Sequence, residues 1–380
     1  MRRVDGNDDV RHHRRIPHAD EIDAARFPMT ICYSDDDEEI DLKSPSEIVA
    51  LHVARRDRIT EYDPKRRTRV LTRFCGVNLA GFDLDRESKV GLGPLLEDVT
   101  PQLWEFRAYT SYNVVSVKLI ESDRGYPVSV FGTVLARDTI DYRCVYLFRR
   151  EREDPQIITS KEDMLALIGP HRGLVAFDNI HFEFNLKVKG DPDDEDFSKG
   201  VIESRAFDSG PITTMLPSWL SKVELVFAPV KHPVAASLQI NILNGPPYAP
   251  FVGKVSAGTR NAETHIILYD GRAINCNGIL VGDDGSIPLS RNLVVIPIPT
   301  CDDDEKFLVH VCIFDNDEDE GTHITLQHPD EEHVCTHGSY ELQVKVTWTA
   351  ILTRPRGAKH PPMRDLSWTE CYGSLDYSGF

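Results

Sequence analysis

The sequence lacks most features that mark secreted, membrane-spanning or disulfide-rich proteins. Its eight cysteines include no C-x-x-C pair, and their spacing is irregular, which gives little support for disulfides or a zinc ribbon. No N-x-S/T sequon occurs. No apolar run reaches the roughly 18 residues of a membrane-spanning helix, and none follows Arg2 and Arg3 as a signal peptide requires. We therefore expect no signal peptide, no transmembrane segment, and a cytoplasmic or nuclear location.

Common catalytic motifs are also missing from the sequence. There is no G-x-S-x-G nucleophile elbow, no P-loop and no glycine-rich loop that enters a helix. The segment GPHRG at 169–173 precedes a predicted strand rather than a helix, so we interpret it as a turn and not as a phosphate loop. We favour a non-enzymatic protein without a cofactor, and an enzyme with an unfamiliar site remains an alternative.

Positive charge is scarce relative to negative charge. The chain has 43 Lys and Arg residues against 61 Asp and Glu residues, a net charge of −18. Phosphate backbones would be repelled by this charge, so general binding of nucleic acid is not expected. The basic stretch at 54–73 is either a nuclear-import or phosphate-binding patch, or a solvated helix end and linker.

The composition changes along the chain and predicts four segments. Residues 1–43 carry the acidic run SDDDEEID and are predicted to be a mostly disordered arm. Residues 44–109 are predicted to hold one short helix and a basic linker, with Ser44 as N-cap and Glu47 completing a capping box. Residues 110–353 are predicted to form a β-sandwich domain, and residues 354–380 an irregular tail rich in proline and glycine.

Alternation of apolar and polar residues dominates residues 110–353. In IHFEFNLKV (180–188) every second residue is apolar, which predicts a strand with one buried face. Further strands are predicted at 128–136, 143–148, 173–177, 223–228, 235–242, 264–270, 292–298, 307–314 and 340–348. Within this region only SKEDMLALIG (160–169) resembles a helix, with Ser160 as cap and Gly169 as stop. The predicted fold class is all-β, an antiparallel β-sandwich or two packed sandwich-like halves.

Several stretches, in the right order, resemble a family of uncharacterised proteins. They are VVSVKLIESDRGYPVSVFGTVLARDTIDYRCVYLFRR (114–150), LIGPHRGLVAFDNIHFEFNLKVKG (167–190), GSIPLSRNLVVIPIPTCDDDEKFLVHVCIFD (285–315) and GSYELQVKVTWTAIL (338–352). The family is found mainly in grasses and is described only as domain of unknown function 6598. The resemblance covers roughly 110–353 and implies no established activity, although some members are fused behind a ribosome-inactivating N-glycosidase domain.

The fused relatives make DEIDAARFP (20–28) worth weighing as an active-site helix. Asp23 and Arg26 are three residues apart, the spacing of an acid and an arginine on one helical face. However, aspartate is one methylene shorter than the glutamate of those enzymes, and no aromatic residue precedes Asp23 to stack the adenine. We interpret the stretch as a chance match and predict no depurination activity.

Acidic residues at alternate positions provide a candidate calcium loop. Asp315, Asp317 and Asp319 follow a predicted strand, as in one calcium loop of a C2-type sandwich, and GDPDDED (190–196) is a candidate second loop. An EF-hand is excluded because Glu320 occupies the position that requires glycine. The competing interpretation is a pair of solvated acidic turns.

Alternating histidine and cysteine residues provide a weaker candidate for zinc. His333, Cys335 and His337 would lie on one face of an extended segment. His328 is close in sequence, and His310 and Cys312 lie on a predicted strand. The spacing lacks the paired pattern of known zinc sites, so we favour ordinary polar positions.

Two functions of different classes follow from these observations. The favoured one is a non-enzymatic β-sandwich that binds a protein or a small ligand, of unknown identity. The alternatives are a calcium-dependent C2-like binder of lipid or membranes, and an accessory protein in translation or defence, by analogy with the fused relatives.

Overall fold

The chain forms two compact units, seen in a computed structural model. The structure describes residues 44–175, 179–205, 210–245, 252–259, 265–271, 285–298, 306–313, 321–326, 331–337 and 340–353. The predicted arm at 1–43 and tail at 354–380 lie outside the described residues. Of the described residues, 44–54 and 76–82 belong to one unit, and 55–75 and those between 83 and 353 belong to the other.

Helix α1, Pro45–Arg58, confirms the predicted N-terminal helix. Its capping box is present, because the Ser44 N–H donates to Glu47 Oε2 at 2.7 Å and the Glu47 N–H donates to the Ser44 hydroxyl at 3.4 Å. Within the first unit, the His52 Nδ1 atom accepts a hydrogen bond from the Leu79 N–H at 3.1 Å.

Regular secondary structure continues into the basic segment after α1. It forms a hairpin of strands β1 (Thr60–Asp63) and β2 (Thr68–Leu71). A short helix α2, Pro101–Trp104, begins after Thr100, whose hydroxyl caps the Leu103 N–H at 3.3 Å.

Most of the second unit consists of two groups of strands. The first group contains β3 (Thr110–Ser122), β4 (Val128–Arg137), β5 (Val145–Arg150), β6 (Gln156–Ile158), β7 (Leu174–Val175), β8 (Asn179–Val188), β9 (Glu195–Arg205), β10 (Ile212–Ser218) and β11 (Ser221–Lys231). The second group contains β12 (Pro233–Asn244), β13 (Gly253–Thr259), β14 (Ile266–Asp270), β15 (Leu293–Pro297), β16 (Phe307–Ile313), β17 (Gly321–Leu326), β18 (Glu332–His337) and β19 (Tyr340–Ala350).

The two groups repeat one antiparallel topology. The first forms sheets β7-β3-β11-β10 and β5-β4-β8-β9, and the second forms sheets β15-β12-β19-β18 and β14-β13-β16-β17. The extra strand β6 pairs with β4. With β6 set aside and each group numbered from its own first strand, both groups have the orders 4-1-8-7 and 3-2-5-6. The chain therefore carries the same eight-stranded sandwich twice, which decides between the predicted single sandwich and two halves.

Each sandwich encloses its own hydrophobic core between its two sheets. The first core includes Val117, Leu147, Phe182, Phe184 and Phe227. The second core includes Ile240, Val255, Val309, Val344 and Trp348. A smaller apolar cluster draws residues from both sandwiches, among them Val175, Ala235, Leu293 and Val295.

Period-two alternation correctly predicted ten of the strands from β3 to β19, and it missed β3, β6, β9, β10, β13, β17 and β18. Along β8, Ile180, Phe182, Phe184 and Leu186 are all fully buried in the first core. All of the individually predicted strands occur, with shifted ends. The alternation predicts only which face of a strand is buried, so it gave no indication of the duplicated strand order.

The predicted helix at 160–169 is wrong. Its cap signals are real, because the Asp163 carboxylate accepts hydrogen bonds from the Thr159 N–H at 2.6 Å and the Ser160 N–H at 3.2 Å. The chain then turns and runs extended, with the Leu165 N–H donating to the Val117 carbonyl at 2.8 Å. Leu165 and Leu167 are buried in the first core, so the packing of an extended segment overrides the local helical preference.

The side chain of Asn113 joins the two sandwiches by forming the two backbone hydrogen bonds that a neighbouring strand would form. The Asn113 amide on β3 donates to the Val295 carbonyl at 2.7 Å and accepts from the Val295 N–H at 2.9 Å. Both backbone groups of Val295 are therefore satisfied across the junction.

Candidate functional site

Among the strands that the structure describes, β18 lies at an edge of the second sandwich. It pairs antiparallel with β19 on one side, and the Val346 N–H donates to the Glu331 carbonyl at 2.8 Å. Because hydrogen-bonded and non-hydrogen-bonded positions alternate along such a pair, the backbone groups of Glu332, Val334 and Thr336 point away from β19. These groups have no hydrogen-bond partner in the part of the chain that the structure describes. These outward N–H and C=O groups can accept another strand.

The side chains of β18 leave this edge accessible. Glu332, His333 and Thr336 are exposed, and Val334 is 44% exposed. Cys335 is half-buried and packs against the second core, which holds the strand in place. An exposed edge with a β-branched apolar residue and no proline is a surface to which strands add readily.

A row of hydrogen-bonded side chains fixes a carboxylate at this edge. On the outer face of the sheet, Gln239 Nε2 donates to Asn241 Oδ1 at 3.2 Å, and Asn241 Nδ2 donates to Gln343 Oε1 at 2.8 Å. Gln343 Nε2 then donates to Glu332 Oε1 at 2.7 Å. The row orients the Glu332 carboxylate, and within the described ranges its second oxygen accepts no hydrogen bond.

In the first sandwich, a proline occupies the equivalent position of the edge strand. Its seventh strand, β10, pairs with β11 up to Ser218 and Ser221, and the next residue outward on β10 is Pro217. Counted in the same way from the β18–β19 hairpin, the equivalent position is Thr336. Proline has no N–H to offer an incoming strand. The proline therefore removes one donor from the edge of the first sandwich, whereas Thr336 keeps its N–H at the equivalent position of the second sandwich.

Negative charge is concentrated in the second sandwich. Residues 233–353 contain 17 Asp and Glu residues against six Lys and Arg residues, a net charge of −11. Residues 110–231 contain 19 acidic and 15 basic residues, a net charge of −4. A partner of the second sandwich is therefore attracted over long range when it is basic.

Buried ion pairs occupy the polar face of the first sandwich. Glu183 on β8 accepts from Arg73 Nε at 2.6 Å, from Arg137 Nε at 2.9 Å and from the Phe74 N–H at 3.2 Å. Burial alone would raise the pKa of Glu183, but the guanidinium groups of Arg137 and Arg73 outweigh it and hold that pKa below its ordinary 4.5. Every partner here is already engaged, so we assign this cluster a structural role.

His181 lies beside this cluster and is kept neutral. Its ring packs edge-on against Phe74, with centroids 4.6 Å apart. Burial, helped by the positive charge of Arg137, lowers the pKa of His181 from 6.5 to about 4. A histidine with so low a pKa does not act as a base that charges at neutral pH.

The candidate calcium ligands are not among the described residues. Asp315, Asp317 and Asp319 lie outside the described residues, in the connection between β16 and β17 of the second sandwich. The candidate second loop, 190–196, connects β8 and β9 of the first sandwich. There Asp194 is held by Arg152 Nε at 2.8 Å and the Gly190 N–H at 3.2 Å. The two acidic segments thus belong to different sandwiches.

The structure describes the side chains of only some of the candidate zinc ligands. His333 and Cys335 lie on one face of β18 as predicted, but Cys335 packs on the core, and burial raises the pKa of its thiol. His310 and Cys312 lie on β16, whereas His328 and the side chain of His337 lie outside the description. Among the described residues, no three ligand-type side chains are grouped to hold a metal ion.

Two further motifs were considered in the sequence, GPHRG at 169–173 and the pair of Asp23 and Arg26. Residues 169–173 contain a bend at 171–172 and no helix, and Arg172 there is buried against Asp138, with Nη2 and Oδ1 3.1 Å apart. Asp23 and Arg26 lie outside the described residues. The β18 edge was missed because no strand was predicted at 332–337, and because alternation does not indicate whether both sides of a strand are paired.

A family model identifies the chain. The model described as domain of unknown function (DUF6598) matches residues 111–347. The chain belongs to the DUF6598 family. The match spans both sandwiches, so the tandem arrangement is the family domain of this chain.

Other comparisons add little. No curated protein matches the chain. Solved structures of human GIVD cytosolic phospholipase A2, with and without methyl gamma-linolenyl fluorophosphonate, align with a TM-score of 0.19 at 5% to 6% identity. The alignments cover 63% of this chain, which spans about a third of the length of those chains (32% and 30%). This likeness is too low to indicate a shared fold or activity. In the described part of the chain no helix is long and apolar enough to cross a membrane.

Proposed function

We propose that this DUF6598 protein is a non-enzymatic interaction module that binds a partner protein by strand addition to β18. The partner supplies an extended segment with basic residues. The open backbone groups of Glu332, Val334 and Thr336 carry this proposal.

Charge and side-chain order support the choice of a basic partner. The second sandwich has a net charge of −11, and the Glu332 carboxylate is held at the edge by Gln343. A Lys or Arg on the added strand reaches that carboxylate, while backbone hydrogen bonds to β18 provide most of the affinity. Val334 offers a small apolar contact beside it.

The test transfers the proline of the first sandwich to the second. In Thr336→Pro the outward N–H is lost without breaking the β19 ladder, and Thr336→Val is the matched control that keeps it. Full-length wild-type and variant proteins serve as bait in a pull-down that is read by mass spectrometry, with and without nuclease. We expect one saturable partner to be retained by wild type and Thr336→Val, and lost or weakened at least about tenfold by Thr336→Pro.

Other outcomes distinguish the alternatives. Equal capture by Thr336→Pro and wild type would contradict strand addition at β18. A calcium-dependent lipid binder, with Asp315, Asp317 and Asp319 as ligands, predicts instead a higher melting temperature in calcium than in chelator, and capture by anionic vesicles. Ribosomal proteins that survive nuclease would support the accessory role in translation suggested by the fused relatives.

A further inference from the structure

Arg291 is a buried arginine at the junction of the two sandwiches. It precedes β15, and only 5% of its surface is exposed. Its side chain donates three hydrogen bonds to backbone carbonyls: Nε to Ile267 at 2.7 Å, Nη1 to Val114 at 2.6 Å, and Nη2 to Val115 at 3.2 Å. Val115 is the extra residue of a β-bulge in β3, so its carbonyl has left the regular ladder.

These hydrogen bonds do not neutralise the charge of Arg291. Two other buried arginines have carboxylate partners: Arg137 pairs with Glu183 at 2.9 Å, and Arg172 pairs with Asp138. Arg291 forms no ion pair with a described residue, and carbonyls offer only partial charges. Burial without a counter-charge lowers the pKa of Arg291 to about 10, so it stays protonated at neutral pH. An unpaired buried charge of this kind is costly unless a ligand completes it.

A small cavity lies next to this arginine, between the sandwiches. Its volume is about 40 Å³, and Arg291 lines it together with Val115, Leu165, Ala166, Leu268 and Asp270. Most of the lining is apolar. The Asp270 carboxylate is engaged with Lys254, whose Nζ atom lies 3.6 Å from Oδ2.

The donor capacity of Arg291 is not exhausted. A guanidinium group has five N–H donors, and three of them are used by the carbonyls of Val114, Val115 and Ile267. The other two have no partner in the ranges that the structure describes. An apolar cavity of this size, bordered by a cation with spare donors, suits an anion of about three or four heavy atoms.

We propose that the cavity binds the carboxylate of a small organic acid, with Arg291 as its counter-ion. The carboxylate accepts the two spare N–H groups, and its short apolar part contacts Leu165, Ala166 and Leu268. This site is independent of the β18 edge, so either proposal can fail alone.

The test compares acetate with acetamide, a neutral molecule of the same shape. Thermal unfolding of the full chain is followed at constant ionic strength, with chloride as the reference salt. We expect acetate to raise the melting temperature in a saturable way, and acetamide and chloride to have no such effect. Equal shifts with acetate and acetamide would overturn the proposal, as would no shift with acetate.

Two variants separate binding from a purely structural role. Ala166→Leu fills the cavity without touching the guanidinium group, so it should abolish the acetate response while the protein stays folded. Arg172→Lys is the control for substitution of a buried arginine, and it should lower stability but keep the acetate response. An unchanged acetate response in Ala166→Leu would overturn the proposal. This test does not require that a variant of Arg291 itself folds.

Discussion

At the scale of single residues, burial decides the chemistry of His181. The ring is covered by Phe74 on the polar face of β8, and its pKa falls to about 4. A histidine in the unfolded chain has a pKa near 6.5. As pH falls below 6.5, the unfolded chain takes up a proton that the folded chain does not, so the free energy of unfolding decreases.

His181 therefore predicts a pH dependence of stability. Between pH 7 and pH 5 this histidine should remove on the order of 2 kcal/mol from the free energy of unfolding. In His181→Phe, which keeps an aromatic ring against Phe74, that part of the loss should disappear. Urea unfolding of wild type and variant at pH 7 and pH 5 measures this difference in the free energy of unfolding. His333→Phe replaces an exposed histidine and should keep the wild-type dependence. An unchanged loss in His181→Phe would contradict the assignment.

At the scale of elements, one glycine permits β4 to pair closely with β8. Gly132 has φ of +109°, and a Cβ atom there would lie 2.2 Å from the Asn185 carbonyl oxygen. Gly125, in the turn between β3 and β4, also has positive φ, at +72°, but a Cβ there would meet nothing within 4 Å.

The two glycines form a matched pair of substitutions. Gly125→Ala meets only backbone strain and should cost about 1 kcal/mol. Gly132→Ala adds a backbone overlap in the middle of the sheet and should cost more, about 3 kcal/mol. Chemical denaturation of both variants provides the comparison. Equal losses would mean that β4 and β8 can separate without penalty.

The edge strand β18 provides a second prediction at the scale of elements. Its accessibility follows from the pairing of the whole strand, since only β19 bonds to it among the described strands. Thr336→Pro should therefore leave the free energy of unfolding within about 0.5 kcal/mol of wild type while it removes partner binding. A large loss of stability would show that the Thr336 N–H is bonded in the folded protein.

At the scale of the whole molecule, hydrogen bonds at the junction join the two sandwiches. Asn113 satisfies both backbone groups of Val295, and Arg291 satisfies carbonyls of β3 from the other side. Removal of Asn113 leaves a buried N–H and C=O without partners.

Asn113→Ala should lower the free energy of unfolding by about 2 kcal/mol. The reason is the loss of both hydrogen bonds to Val295 across the junction. Asn185→Ala, at an exposed position of β8, serves as control and should change stability by less than about 0.5 kcal/mol. Denaturant unfolding measures both, and equal effects would argue that the junction contributes nothing through Asn113.

Local patterns in the sequence determined the parts of this protein that depend on neighbouring residues. The capping box at Ser44 and the alternation in β8 and β19 were sufficient because a cap and a buried face involve only residues a few positions apart. The all-β class followed from the number of such strands. The same local signals failed at 160–169, where contacts with β3 keep the chain extended despite real cap hydrogen bonds.

Tertiary structure alone decided the features on which the functional proposals rest. Whether β18 is an edge depends on strand order, and whether Arg291 has a counter-ion depends on which loops meet at the junction. Both are contacts between residues far apart in sequence, which periodicity does not encode. The sequence by itself therefore determined many of the strands and which of their faces are buried, and the packing of the two sandwiches determined which backbone groups and charges have no partner among the described residues.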